Sequence, residues 1–384
     1  MKYLKNYIAA SLVLFRLVGI GQQGGLHWHK AGTIPPVGKQ PVSPGYAGPV
    51  TGIYQNNLLV AGGANFPDGM PWEGGRKKYY DEGFLFQRKG KKIAALGTRI
   101  KLPEPIAYSA SCGISQGLFY AGGENLLGPG KNSYLINYSS SLKEWQVHKL
   151  PDLPYNVTNA MAIGFGSKVY LAGGENADST LSSFLMLDMD KLAEGWKTLT
   201  SMPVTLSHSV ISIQNNEQGQ PCIFLFGGRR KTGTGISAFS SAVYSYNPAN
   251  GNWEQHPALP FALSAGTGIS LNEGQLLLFG GDNGSRFNLT EEMIVAIAKE
   301  KDEEIKKSLT LKKQNLQSTH PGFDKRVLLY QVASGSCKIV SEFPFDTPVT
   351  TLALRWGNYI TIPSGEIRAG VRTPFILLAK MKQR

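Results

Sequence analysis

This 384-residue chain predicts an all-β fold, a six-bladed β-propeller, on three observations. A strand ending in a glycine pair recurs as LLVAGG (58–63), LFYAGG (118–123), VYLAGG (169–174), FLFGG (224–228) and LLLFGG (276–281), and a degraded sixth copy, ITIPSG, ends at Gly365. Successive first glycines, Gly62, Gly122, Gly173, Gly227 and Gly280, lie 60, 51, 54 and 53 residues apart, the length of one four-stranded blade of the kelch type. Between them an aromatic and a proline step return in register, at Trp145 with Leu153-Pro154, Trp196 with Met202-Pro203 and Trp253 with Leu259-Pro260.

The repeat in full is clearest in blade four. After FLFGG comes a strand, AVYSYNP, a turn, ANG, and a Trp-bearing strand, NWEQHPALP, running into FALSAGTGISL, which makes four short strands with turn residues between them. One glycine pair alone reads as a hairpin turn; five in register do not. Paired glycines suit the inner end of a blade, where the blades converge and a side chain would obstruct the turn of the backbone. The last strand-like segment, TPFILLAKM (373–381), has no partner after it. LHWHKAGTIPP (26–36) carries the Trp and Pro of a fourth strand, so blade six is expected from about 349–382 plus 26–32, which closes the ring without an open edge.

The repeats place residues 26–384 in a single propeller. Two segments stand outside the pattern. The first is the start of the chain, with Lys2 and Lys5 ahead of an apolar run from Tyr7 to Ile20, interrupted by Arg16. Residues 1–21 have the outline of a secretory signal peptide, and periplasmic or secreted localisation is the expectation; the run is too short to span the ~30 Å of a hydrocarbon core, and no stable membrane insertion is expected. The second is 288–320, a stretch of helix formers within blade five with Thr290 as the expected N-cap, read as a solvated helical flap over one rim.

Net charge is +12, but the basic residues are scattered and the densest cluster, Lys89, Lys91 and Lys92, reads as an exposed hairpin tip. That pattern fits attraction of an anionic small molecule better than nucleic acid. Cys112, Cys222 and Cys337 fall in three different blades with no metal or redox spacing, so buried small hydrophobes are expected and no metal site.

Function in a propeller concentrates where the loops after the inner strands meet over the axis. The residues just after each glycine pair are Ala64-Asn65, Glu124-Asn125, Glu175-Asn176, Arg229-Arg230, Asp282-Asn283 and Glu366. Singly these are ordinary polar loop positions. Six in register form a polar ring suited to a carbohydrate-like ligand, with Asn65, Glu124, Glu175, Arg229 and Asp282 the expected substrate contacts. Blade six adds GEIRAGVRTPF (365–375), with Glu366 and Arg372 across a glycine-containing turn. The pair could exchange a proton and hold an anion, or simply brace the loop as an ion pair.

At these residues the chain resembles the kelch-type sialic acid mutarotases, also called N-acetylneuraminate epimerases, and their cyclically permuted relatives. The resemblance rests on GEIRAGVRT, on VAGGANF (60–66) followed by a long polar loop to Tyr80, on FGGRRKTG (226–233) and on the blade-five insertion, and it spans 26–384. It implies a glutamate proton acceptor at Glu366 and a catalytic arginine at Arg372. The motif is C-terminal here and mid-chain in the family member compared, a circular permutation that leaves a closed ring intact. The implied activity is interconversion of the α and β anomers of N-acetylneuraminate by ring opening and reclosure, with no metal or organic cofactor. The partner expected is a small sugar acid, and a homodimer is left open. The alternative is a non-catalytic kelch-repeat module that binds a protein or glycan at its rim. A sialidase is disfavoured because the S-x-D-x-G-x-x-W turn is not repeated, and copper chemistry because the six histidines are scattered.

Overall fold

The computed structural model describes residues 26–38 and 40–381; the expected signal peptide at 1–21 lies outside them. Six four-stranded antiparallel sheets form a ring, a β-propeller. Blade four shows the plan, with strands Val210–Asn215, Pro221–Phe226, Val243–Asn247 and Asn252–His256 paired in chain order.

Each inner strand is buried on both faces, which is why its sequence is a continuous apolar run rather than an alternation. Phe224 and Phe226 pack toward blade five with Leu276 and Leu278, whereas Ile223 and Leu225 pack back against Tyr170 and Phe184 of blade three. The same arrangement gives one apolar cluster at each of the six blade interfaces.

Closure follows the expected route. Trp28–Thr33 pairs antiparallel with Phe375–Lys380, with Trp28 opposite Ala379 and a bulge at Ala31. The Trp28 indole lies 5.5 Å from the Phe279 ring and 4.7 Å from that of Phe343, so the first described strand is anchored in the interface of blades five and six.

The glycine pairs meet a more specific demand than crowding at an axis. All five first glycines have φ between 55° and 65°, the left-handed region. A Cβ on Gly227 would stand 2.1 Å from the carbonyl oxygen of Leu263 in the next blade, the same oxygen that accepts the N–H of Gly228 at 2.7 Å. The pair is therefore the point where one blade's backbone docks on its neighbour's. In blade six a serine does this work: Ser364 has φ 58°, and its hydroxyl accepts from the Tyr46 N–H at 2.8 Å and donates to Thr373 O at 2.7 Å.

The blade-five insertion is a pair of helices, α1 (Ser285–Lys299) and α2 (Glu303–Ser318), beginning three residues earlier than the sequence reading placed it. Thr290 is not the N-cap. It lies inside α1 and donates back to Arg286 O at 3.1 Å, while α1 starts after left-handed Gly284, its entry shaped by Asp282 accepting from Gly284 N and Asn283 from Ser285 N. α2 has the expected kind of cap one element later, Asp302 accepting from Glu304 N and Ile305 N. Cys112, Cys222 and Cys337 are all free thiols.

Candidate functional site

Two rings set on the propeller axis build the site. The outer ring is the residue that follows each glycine pair. Ala64, Glu124, Glu175, Arg229, Asp282 and Glu366 each make a two-residue bridge to Ala47, Ala107, Thr158, Ser207, Ser264 and Val349, so six register-equivalent side chains are presented at one end of the axis. The inner ring is the next residue after each bridge partner: Gly48, Tyr108, Asn159, His208, Ala265 and Thr350. All six are left-handed, with φ between 55° and 61°, and each N–H donates to the carbonyl of the ring member before it over 2.8–3.1 Å, Gly48 closing the circuit on Thr350.

This inner ring floors a cavity of about 490 Å³, within the usual range for small-molecule sites. Of the seven side chains expected from the sequence, six line this cavity and one does not. Glu124, Glu175, Arg229, Asp282, Glu366 and Arg372 all line the cavity. Asn65 does not. It is buried, its amide donating to Gly45 O and its carbonyl accepting from the Tyr80 hydroxyl. The position equivalent to Glu124 in blade one is Ala64, and a strand alternates sides, so the residue one further along faces the interior.

Glu366 and Arg372 are directly opposite each other in a short hairpin, Glu366–Arg368 with Val371–Arg372. One Glu366 oxygen accepts from Gly370 N at 2.8 Å and stands 3.8 Å from Arg372 Nη1, too far for a hydrogen bond. The Arg372 side chain is only 4% exposed, its guanidinium lies 4.7 Å over the Phe66 ring, and its Nε and Nη1 have no acceptor among the described residues. A buried guanidinium that lines a cavity and keeps donors without acceptors is a candidate seat for a carboxylate.

Glu124 and Glu175 are each paired with a base. Glu124 accepts from the Tyr79 hydroxyl at 2.7 Å and from Lys77 at 3.2 Å. Burial alone would lower the Lys77 ammonium, but Tyr108, Glu124 and Tyr79 outweigh it and hold it above the ordinary lysine value. Burial together with the hydrogen bond to Glu124 pushes Tyr79 up to about 12. Glu175 accepts from Asn159 and Ser207 and lies 3.6 Å from Arg229, whose guanidinium stacks 4.5 Å over Phe287 of α1. Burial raises Asp282 above the usual carboxylate range, against the opposing pull of Gly284 N–H and Arg229.

The roof is made of three parts. The loop of blade one brings Phe66, Pro71 and Lys77; α1 and α2 bring Arg286, Phe287, Ile294 and Gln317; the blade-six hairpin brings Ala369 and Gly370. Gln314 of α2 donates to Trp72 O at 3.1 Å, and Gly370 packs on Pro71 and Trp72, so the three segments support one another. Lys77 and the floor residues Tyr108, Asn159 and His208 went unread in the sequence. A signal existed for the floor: Tyr108, Asn159, His208 and Ala265 each stand six residues after the apolar member of a Leu-Pro or Met-Pro step.

A family model described as N-acetylneuraminate epimerase matches residues 150–384, which include the glycine-pair positions of blades three to six and the hairpin of Glu366 and Arg372. Among curated proteins, the N-acetylneuraminate epimerase of Salmonella typhimurium is 26% identical over 234 residues, covering 60% of this chain and 58% of that protein. That of Brucella melitensis biotype 1 is 26% identical over 241 residues, covering 60% and 59%. The chain thus spans less than two thirds of the length of the relatives it matches.

Proposed function

Because the chain belongs to the N-acetylneuraminate epimerase family, we propose that it interconverts the α and β anomers of N-acetylneuraminate or a closely related sugar acid. The observation that carries this reading is the pairing of Arg372, buried with two unfilled donors, with Glu366 in one cavity. A sialic acid presents a carboxylate on its anomeric carbon, beside the anomeric hydroxyl. A carboxylate seated in the Arg372 fork therefore brings that hydroxyl toward Glu366, which is on the same hairpin.

Opening the ring moves the anomeric hydroxyl proton to Glu366 as the bond between the anomeric carbon and the ring oxygen breaks and the ring oxygen gains a proton. Reclosure on the other face of the carbonyl reverses each transfer and yields the second anomer. Arg372, the cavity guanidinium with donors left without acceptors, supplies the positive charge that seats the anion. Phe66, Phe239 and Phe287 supply apolar faces for the non-polar edges of a sugar.

Proton NMR of freshly released α-N-acetylneuraminate tests the reading. The protein should speed the appearance of β anomer, and Glu366→Gln should slow it by about 10²–10⁴ while leaving thermal unfolding unchanged. Equal exchange with and without wild-type protein, alongside binding of the sugar, would identify a glycan-binding module instead.

A further inference from the structure

Mutarotation needs a second proton path, because the ring oxygen must gain a proton when the ring opens and lose it when the ring closes. Glu366 serves the anomeric hydroxyl, and the hairpin that carries it brings no second titratable group to the cavity. We propose that His208, on the cavity floor, is this second proton-transfer residue; the proposal rests on the mutarotase reading above.

The imidazole is held by a chain of hydrogen bonds that fixes which nitrogen carries its proton. His208 Nδ1 lies 2.9 Å from Ser207 Oγ, and Ser207 Oγ lies 3.2 Å from Glu175 Oε2 and 3.3 Å from Arg229 O. A serine hydroxyl has one proton to donate, and both of its other neighbours are acceptors only. If Ser207 donates to Glu175 or to the carbonyl, it can receive only from His208, and the arrangement that satisfies most of these groups is the Nδ1–H tautomer, which we assign to His208. The Nε2 lone pair is left as the working end of a residue that lines the cavity. The order Glu175, Ser207, His208 places a carboxylate behind the ring, where it stabilises the imidazolium that forms when Nε2 takes a proton.

Other features of the site agree. Glu175 is itself anchored, by Asn159 at 3.1 Å and by Arg229, so the relay does not rest on a mobile acid. Burial, with Arg229 adding to it, depresses the imidazole well below its ordinary value, and an imidazolium there surrenders its proton readily. The charged groups that bear on it are Glu175, through Ser207, and Arg229. His320, the other histidine of the cavity, is differently placed, its Nδ1 already accepting from Gly322 N at 3.1 Å.

The protons balance as follows. His208 takes a proton from solvent at Nε2 as the closed sugar is loaded. On opening, the anomeric O–H proton passes to Glu366, the bond between anomeric carbon and ring oxygen breaks, and the Nε2 proton passes to the ring oxygen, leaving a ketone and a free hydroxyl. On closing, that hydroxyl attacks the carbonyl carbon and returns its proton to Nε2, while Glu366 returns its own to the carbonyl oxygen. Release of the product returns the Nε2 proton to solvent.

Two measurements test this. In protein labelled with ¹⁵N-histidine, the nitrogen shifts of His208, assigned by their loss in His208→Asn, should show Nδ1 protonated and Nε2 bare in the free protein; a protonated Nε2 overturns the proposal whatever the activity. Asparagine suits this position because it tolerates the left-handed backbone and already stands at the equivalent place in blade three, Asn159. His208→Asn should slow anomer exchange about 10²-fold or more with little change in the sugar's binding constant. Ser207→Ala, which acts through His208, should move the Nε2 shift and lower kcat with KM held. If wild-type protein accelerates exchange and His208→Asn does so equally, the proposal falls while the mutarotase reading stands. If wild-type protein gives no acceleration, both fall together.

Discussion

Replacing Arg372 by methionine separates a ligand-binding arginine from a bracing one, because the two roles predict opposite signs of stability change. In the free protein Nε and Nη1 are buried without acceptors, and each such donor costs about 1–3 kcal/mol of desolvation that folding does not recover. Against removal stand the stacking on Phe66, about 1–2 kcal/mol, and the attraction to Glu366 across 3.8 Å, of similar size in a partly wet site. Methionine keeps the length and apolar volume of the stem, so packing is largely retained. The net expectation is between no change and a gain of about 2 kcal/mol. With an unfolding entropy of about 2.1 cal/mol/K per residue over roughly 350 residues, that is 0 to about +3 °C in Tm. The sugar acid should lose two charge-assisted hydrogen bonds of about 1.5–3 kcal/mol each, an affinity drop of about 10²–10⁴. Differential scanning calorimetry without sugar, beside a titration with N-acetylneuraminate, reads both quantities. A fall in Tm of more than about 4 °C, with affinity lowered only as the folded fraction falls, would show that Arg372 braces its hairpin and would refute the reasoning.

Trp28→Ala should destabilise by about 3–5 kcal/mol, or roughly 4–7 °C in Tm, because the indole fills the cluster of Phe279 and Phe343; an unchanged Tm would mean that Trp28–Thr33 contributes nothing to closure. Asp282 has a folded-state pKa raised by burial, so its ionised form opposes folding above the unfolded-state value, and the penalty fades as pH falls through the raised value. Asp282→Asn, which keeps an acceptor for Gly284 N, should therefore stabilise at neutral pH and lose its advantage in mild acid, as urea melts at the two pH values would show.

The blade count and the closing strand were legible because they depend on backbone demands that few residues meet. Only glycine, or a serine that bonds back as Ser364 does, fits where the next blade's carbonyl docks. The polar ring was legible for the same reason, since each of its members is counted from a glycine pair. Asn65 shows the limit of that counting: one residue of offset turns a side chain from the cavity into the interior, and in blade one the true position holds Ala64. Thr290 was misread because a local capping pattern looked sufficient, whereas the Asp282 and Asn283 side chains, fixed by the ring they belong to, start the helix earlier. The helical flap over one rim was legible as a run of helix formers, but Lys77 and the joining of the flap to the other roof segments were not. Their places depend on loops from blades one, five and six meeting in space, and no local spacing in the sequence encodes that meeting.

The inner ring has a consequence for which substitutions its positions will bear. A left-handed backbone is the natural territory of glycine, and holding another residue there costs of the order of 1–3 kcal/mol. Gly48 shows that the circuit closes well around a glycine, yet Tyr108, Asn159, His208, Ala265 and Thr350 stand at its other five positions. A floor of six glycines would be more relaxed and chemically blank. Glycine at Thr350, whose hydroxyl bonds only the adjacent Val349 carbonyl, is the place to look for a protein that melts higher. Glycine at Tyr108, Asn159 or His208 would also give up contacts with Lys77, Glu175 and Ser207, so those side chains are kept for more than the backbone they strain.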